Sequence, residues 1–336
     1  MSFVRLSSLA FVLSMTIAHL SPFAAADNPV LLNDVEAAFQ EASQSLARLQ
    51  SFSPGRLNVP AGGHIQGIQL KLDPDKERYL AFLSHDSNRL GYVVVVSFPR
   101  SGAHLGQVLH VHQFEAGRLR HAGGIQLLDD ILAVGLEDNW SKDRSEIQFW
   151  NTADPVNWTQ LDHLTIRRRG RPKDKTAGAV GIIRHDSHVV VAVANWDSRA
   201  IDFYQSSTPD LNDSHCRFDV MGRWSVNSAD TSTWQPDKLF ASYQAINLVG
   251  QSDGAVFLLG FHQRALGRDY VDLYSVDLSV KSTPSLHKIF AQKIKLSNDN
   301  HFKYGGGVSI QQNTMWFLST ERSLKNRVRI NLTNHF

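Results

Sequence analysis

The sequence predicts an all-β fold made of five copies of one unit, preceded by a single N-terminal amphipathic helix. Three observations carry this prediction. A small-residue opening recurs as His64-Ile-Gln-Gly-Ile68, His121-Ala-Gly-Gly-Ile125, Thr176-Ala-Gly-Ala-Val180, Ser242-Tyr-Gln-Ala-Ile246 and Tyr304-Gly-Gly-Gly-Val308. Its fourth position (Gly67, Gly124, Ala179, Ala245, Gly307) returns every 55 to 66 residues, and a near-constant period marks a repeat architecture. About a dozen residues after each opening, a short apolar run closes in polar groups.

Residues 1–26 read as a secretory signal: Arg5 supplies charge, Leu9 to Ala18 is mostly apolar, and Ala24-Ala25-Ala26 offers small residues for cleavage. A membrane anchor is the alternative, but the apolar stretch is short and interrupted for a bilayer span. The mature chain is therefore expected to be secreted or periplasmic. It has no later apolar run of the roughly eighteen residues that a spanning helix needs. Removing the signal lowers the formal net charge from +2 to +1, because Arg5 is its one charged residue. That balance argues against nucleic acid as a partner, since such binding relies on many phosphate contacts by Lys and Arg. The single cysteine, Cys216, excludes an intramolecular disulfide, and a chain of this length can bury enough core without one.

Leu32 to Leu49 reads as one amphipathic helix, with Val35, Phe39, Leu46 and Leu49 on a common stripe and Asn33 or Asp34 as its cap. With the Ser53-Pro54-Gly55 break it fills residues 27–56, and the repeat domain occupies 57–336. The second runs lie at 80–84, 132–136, 190–194, 256–260 and 315–319. They are short and almost wholly apolar, as strands buried on both faces are. The third runs lie at 92–98, 146–150, 200–204, 270–276 and 327–332. Several alternate, as in Glu146-Ile-Gln-Phe and Val271-Asp-Leu-Tyr, and are expected to face water on one side. Fourth runs at 107–114, 159–166, 217–226 and 286–296 follow the first four copies only. The last copy ends too soon for one. Leu57–Val59, ahead of the first copy, is the expected source of that missing strand, which would close the ring and leave no open edge.

Five four-stranded units around one axis resemble a five-bladed β-propeller over residues 57–332. The resemblance is one of repeat pattern: no Gly-His…Trp-Asp signature, kelch pattern or bacterial Asp-box is present. A pair of β-sandwiches is the alternative, and it would not need a constant period.

Antiparallel first and second strands put the start of one and the end of the next at the same end of each unit. Two polar columns should therefore meet around one channel mouth. The first is His64, His121, Thr176, Ser242 and Tyr304. The second is His85-Asp86, Glu137-Asp138, Asn195-Trp196-Asp197, Phe261-His262 and Thr320-Glu321. Three chemical readings follow. A small polar or glycan-like ligand could be held by His64, His121, Glu137, Trp196, His262 and Tyr304, with aromatic rings, Trp140 among them, stacking on sugars. A hydrolase could use Asp86, Asp138 and Glu321, because glycoside cleavage needs two carboxyl groups; some five-bladed propellers are glycosidases, which the resemblance adds as an expectation. A divalent metal could be held by His64, His121 and a carboxylate. Against all three stands a ring of polar residues that simply plugs the channel, leaving a scaffold for another exported protein.

Arg167-Arg-Arg-Gly-Arg171-Pro-Lys173-Asp-Lys175 places six basic residues in nine. Arg167, Arg168, Arg169 and Arg171 form a candidate anion site, because guanidinium forks bind oxyanions bidentately. A solvated loop is the plainer account.

Overall fold

The computed structural model describes residues 31–55, 57–73, 76–100, 105–115, 117–279, 283–297 and 299–333. The expected signal segment lies outside them. Among the described residues no helix is long and apolar enough to cross a membrane.

The helix α1 (Val35–Gln44) starts at Asp34, whose carboxylate accepts a hydrogen bond from Ala37 N at 2.9 Å. It buries Val35, Phe39 and Ala42, with the Phe39 ring edge-on to Phe317 at 5.4 Å. The expected helix to Leu49 is too long. Ser45 turns extended, its hydroxyl donates to Glu41 O at 2.8 Å, and Leu46 is exposed. The chain then becomes strand β1 (Ala47–Phe52). A complete ladder of backbone partners outweighs the helical spacing of two leucines.

Among the described residues the other strands fall into five antiparallel groups. The first holds β2 (Ile65–Asp73), β3 (Arg78–His85), β4 (Tyr92–Pro99) and β5 (Leu105–Gln113). The second holds β6 (His121–Leu128), β7 (Ile131–Glu137) and β8 (Arg144–Asn151), with the two-residue β9 (Thr159–Gln160) and then β10 (Ile166–Arg169) both paired to β8. The third holds β11 (Ala179–His185), β12 (His188–Ala194), β13 (Ala200–Ser206) and β14 (Phe218–Ser225). The fourth holds β15 (Ala245–Gly250), β16 (Val256–Arg264), β17 (Arg268–Asp277) and β18 (Ser285–Ile294). The fifth holds β19 (His301–Gln311), β20 (Thr314–Thr320) and β21 (Val328–Thr333).

β1 completes the fifth sheet, pairing with β21 from Ala47↔Thr333 to Phe52↔Val328. Its end also meets β5, in parallel, at Ser51↔Leu105 and Phe52↔Gly106. The missing outer strand thus comes from ahead of the first copy, but from residues 47–52 and not from Leu57–Val59. Leu57 and Val59 are partly buried side chains packed on the core near that closure. The ring therefore begins at Ala47 rather than at residue 57.

The hydrophobic core lies in five clusters, each between consecutive sheets, and one of them joins the fifth sheet to the first. Sheets that pack face to face around a closed circuit form a β-propeller. Close approach of the inner strands explains the small-residue column. Gly67 pairs in parallel with Gly306, and Gly124 with Ala179. A side-chain carbon on Gly307 would fall 1.9 Å from Ile68 O, so only glycine fits there. Amide side chains fill the axis. Gln126 Oε1 accepts from Leu248 N at 2.8 Å and Ile182 N at 3.0 Å, and its Nε2 donates to Leu248 O at 2.7 Å. Asn247 Oδ1 accepts from Val308 N at 2.9 Å and Gln69 Nε2 at 3.3 Å. These bonds satisfy inner-strand backbone and close the channel.

Candidate functional site at the channel mouth

The two polar columns meet at one end of the ring. His121 is the register partner of Glu137, and Ile65 that of His85. Asp86 Oδ1 accepts from His64 N at 2.6 Å, Thr176 Oγ1 from Trp196 N at 2.6 Å, and Asp197 Oδ1 from Ser242 Oγ at 3.2 Å. Contacts also run from sheet to sheet. Glu137 Oε2 accepts from Ala177 N at 2.7 Å, Ser198 Oγ donates to Tyr243 O at 2.9 Å, and Ile65 N donates to Arg322 O at 2.9 Å. Across the mouth, Gln244 Nε2 donates to Gln66 Oε1. The Gln66–Gln244 pair forms a floor that sequence reasoning missed; both glutamines stand inside the repeated openings, but only closure shows that they face each other.

Asp86, His121 and Glu137 make a row. His121 Nε2 lies 3.8 Å from Asp86 Oδ2, and His121 Nδ1 lies 3.2 Å from Glu137 Oε1. The second pair is misaligned for a hydrogen bond, which leaves both buried atoms without one. Burial pushes the Glu137 carboxyl above its ordinary range, against the opposing pull of His121 and the Ala177 N–H. Burial also pulls His85 down to about 4, and its ring stacks on Tyr92 at 4.8 Å.

His64 and Tyr304 stand together at the rim, half-buried, with ring centroids 5.6 Å apart. The Arg322 guanidinium lies 5.5 Å from the Tyr304 ring and Lys303 Nζ lies 5.7 Å from it. The backbone brings Tyr304 there because β19 carries extra residues between His301 and Gly306 relative to β20. Trp196 is half-buried under Lys142, whose Nζ sits 3.7 Å from its ring.

Other expected members are committed elsewhere. Asp138 accepts from Trp140 N at 2.9 Å, Ser141 N at 3.1 Å and Ser141 Oγ at 2.7 Å, so it braces its own turn. Burial works to raise its carboxyl, but these donors outweigh it and hold it below the ordinary value. Glu321 is bound by Arg329 Nη1 at 2.7 Å, on the neighbouring strand β21. His262 is buried behind the mouth, 3.2 Å from Asp272 Oδ1. Among the described residues no group of three or more His, Cys, Asp or Glu side chains is placed to hold a metal ion. His64 Nδ1 instead faces Ile65 O at 2.9 Å.

Two charge networks were not legible. Asp272 and Lys288 are fully buried 3.0 Å apart, with Tyr243 OH donating to Asp272 at 2.6 Å and Arg264 Nη2 at 3.5 Å from it. Burial works to raise Asp272, and His262, Lys288 and Tyr243 together hold it lower. The alternating strand Val271-Asp-Leu-Tyr therefore has no watery side: Asp272 and Tyr274 face the third sheet's core. The basic run is likewise divided. Its strand starts at Ile166, where the expected fourth run ended, and alternates buried and exposed. Arg168 points inward and binds Asp202 at 2.6 Å and Thr176 O at 2.5 Å, so it leaves the expected anion site. Arg167 points outward, 3.4 Å from Glu146, and Arg169 and Arg171 are exposed.

At the opposite end of the channel a cavity of about 430 Å³ is bordered by Leu70, Leu127, Ile183, Leu248 and Ile310. Its lining is mixed, with Gln69, Gln126, Ser309 and Gln311 among the apolar side chains, and its edge charges are paired, Lys71 with Asp130 and Arg184 with Asp129. Unpaired polar chemistry lies at the other mouth.

No family model matches the chain, and no curated protein matches it. Solved structures similar to it include the catalytic domain of a GH62 α-L-arabinofuranosidase from Coprinopsis cinerea, at 12% identity and a TM-score of 0.47, covering 86% of this chain and 98% of that one. A GH62 hydrolase in complex with xylotriose has 12% identity and a TM-score of 0.49, covering 88% of this chain and 99% of that one. A GH32 β-fructofuranosidase from Bombyx mori has 12% identity and a TM-score of 0.47, covering 88% and 64%. Likeness at this level assigns no residue, ligand or reaction to this chain.

Proposed function

We propose that this chain is an exported five-bladed β-propeller that binds a small polar, glycan-like ligand at the mouth lined by His64, His121 and Tyr304. One observation carries the reading. A half-buried His64–Tyr304 pair, with the exposed Arg322 beside it, stands at the end of the channel where Gln244 and Gln66 bond to each other across the axis. An aromatic rim with convergent donors above paired amides that close the axis suits a hydroxyl-rich ring better than it suits a passage for solutes. The test is a thermal-shift titration with neutral and acidic mono- and oligosaccharides. A ligand at about 100 times its Kd adds roughly 2.7 kcal/mol, which should raise Tm by about 2 °C or more. The rise should vanish in His64→Ala and Tyr304→Ala and persist in Gln311→Ala, at the opposite cavity. A saccharide response indifferent to His64 and Tyr304 would sink the reading, and silence toward every saccharide would favour a scaffold for another exported protein.

A second reading, hydrolysis, is favoured by the Asp86–His121–Glu137 row. It is a raised, buried carboxyl and a second carboxylate sharing one imidazole, an arrangement suited to proton transfer. Turnover of aryl glycosides or phosphoesters lost in both His121→Ala and Glu137→Gln, with the fold retained, would establish it. Absence of turnover by the unaltered protein would remove it.

A further inference from the structure

We propose that the loops flanking the mouth form a platform for an acidic polysaccharide, a uronate-bearing chain that runs across Trp140 and the outward-facing cations Arg169, Arg171 and Lys173. The inference rests on the ligand reading above and narrows its class: the glycan at the mouth is polyanionic.

Trp140 is 96% exposed, an unusual state for so large an apolar ring. Its loop is nevertheless held firmly. Asp138 takes three hydrogen bonds from Trp140 and Ser141, as described above. The neighbouring cationic loop is laced to the same turn by two backbone bonds, Gly170 N to Asp143 O at 2.9 Å and Lys173 N to Lys142 O at 2.7 Å. The backbones that carry the indole and the cations are therefore tied to one another, so docking orders side chains and not loops.

Charge on this surface is uncompensated. Arg168 and Lys175 are spent on Asp202, and the nearby carboxylates Asp143 and Asp174 are taken by Arg144 and Arg223. Arg169, Arg171 and Lys173 are exposed, and among the described residues none of them has a carboxylate partner. The cationic loop runs straight into Thr176, a member of the mouth column, and Lys142 covers Trp196 on the same side. An exposed aromatic ring and several free positive charges on two joined loops beside the polar mouth match a chain of sugar rings, each bearing a carboxylate. Apolar ring faces stack on the indole and carboxylates meet the guanidinium forks. A membrane surface fits less well, because one indole beside the cations provides little apolar area to bury in lipid.

The experiment measures binding of the mature protein to polygalacturonate, to neutral dextran of similar length, to dextran sulfate, and to phosphatidylglycerol vesicles. Polygalacturonate should bind and weaken as salt rises, and neutral dextran should not compete for this surface. Arg169→Glu/Arg171→Glu and Trp140→Ala should each weaken polygalacturonate binding about tenfold or more, with Tm unchanged because all three side chains are exposed. Equal loss for polygalacturonate and dextran sulfate in the arginine variant, with no effect of Trp140→Ala, would mean non-specific anion exchange and overturn the proposal. Vesicle binding without polygalacturonate binding would overturn it and assign the surface to a membrane. His64→Ala separates the two readings. If it abolishes small-saccharide binding while Trp140 and arginine changes do nothing to polygalacturonate, the platform fails and the mouth stands. If the platform variants matter and His64→Ala does not, the mouth fails.

Discussion

Single residues are valued here by what surrounds them after closure. His112 shows this away from the mouth. Its ring stacks on Trp158 at 4.6 Å and meets Trp150 edge-on at 4.2 Å, and its Nε2 is buried without a partner. Burial, with His110 adding to it, pulls His112 down to about 4, and burial does the same to His85. Both folded values lie below the ordinary 6.5, so the unfolded chain takes the proton first. Their contribution to stability is full above about pH 6.5 and is lost as pH falls toward 4. Glu137, raised in the fold, works in the opposite sense. Chemical denaturation across this range should show stability falling with acid, and His112→Phe, which keeps the stack and removes the proton, should flatten that fall. An unchanged slope would mean that the imidazole is not held neutral.

At the scale of elements, the decisive piece is β1. Its first three residues fall in the expected helix, and it is the strand that joins the fifth sheet to the first. Phe52 is fully buried, edge-on to Phe98 at 6.3 Å. Truncation to alanine should cost about 3–5 kcal/mol in urea unfolding. Leu57→Ala, in the segment that local sequence favoured for this role, should cost about 1 kcal/mol, as a half-buried side chain does. Leu46→Ala should cost less than about 0.5 kcal/mol, because Leu46 is 72% exposed. A reversed order would return the closing role to residues 57–59. Element boundaries also decided the basic run. The shift of the fourth strand to Ile166–Arg169 puts alternate arginines on opposite faces, so one run of identical residues supplies both a buried ion pair and exposed cations.

The whole molecule is a circuit, and its stability is expected to depend on being closed. A chain starting at Gly55 lacks α1 and β1 and would bare the edges of β21 and β5, which are paired in the intact protein. Exposed strand edges recruit other chains. Such a truncation should elute as larger oligomers than the intact protein, or aggregate, in size-exclusion chromatography. A well-folded monomeric truncation would show that closure is dispensable.

Periodicity was enough for the sequence to announce its sheets, because strands buried on both faces need apolar runs and crowded inner strands need glycine or alanine. It also placed His64, His121 and Tyr304 at one end of the ring, since antiparallel connectivity alone puts them there. Distance along the chain says nothing about which polar side chains spend themselves on each other. Tertiary structure alone tied Asp138 to its own turn, Glu321 to Arg329, and His262 to a buried carboxylate. It set Gln66 opposite Gln244 and turned Arg168 inward. The physical reason is that an exposed charge and a buried, paired one can be identical in sequence, and only the packing of one sheet on the next decides which of them meets water.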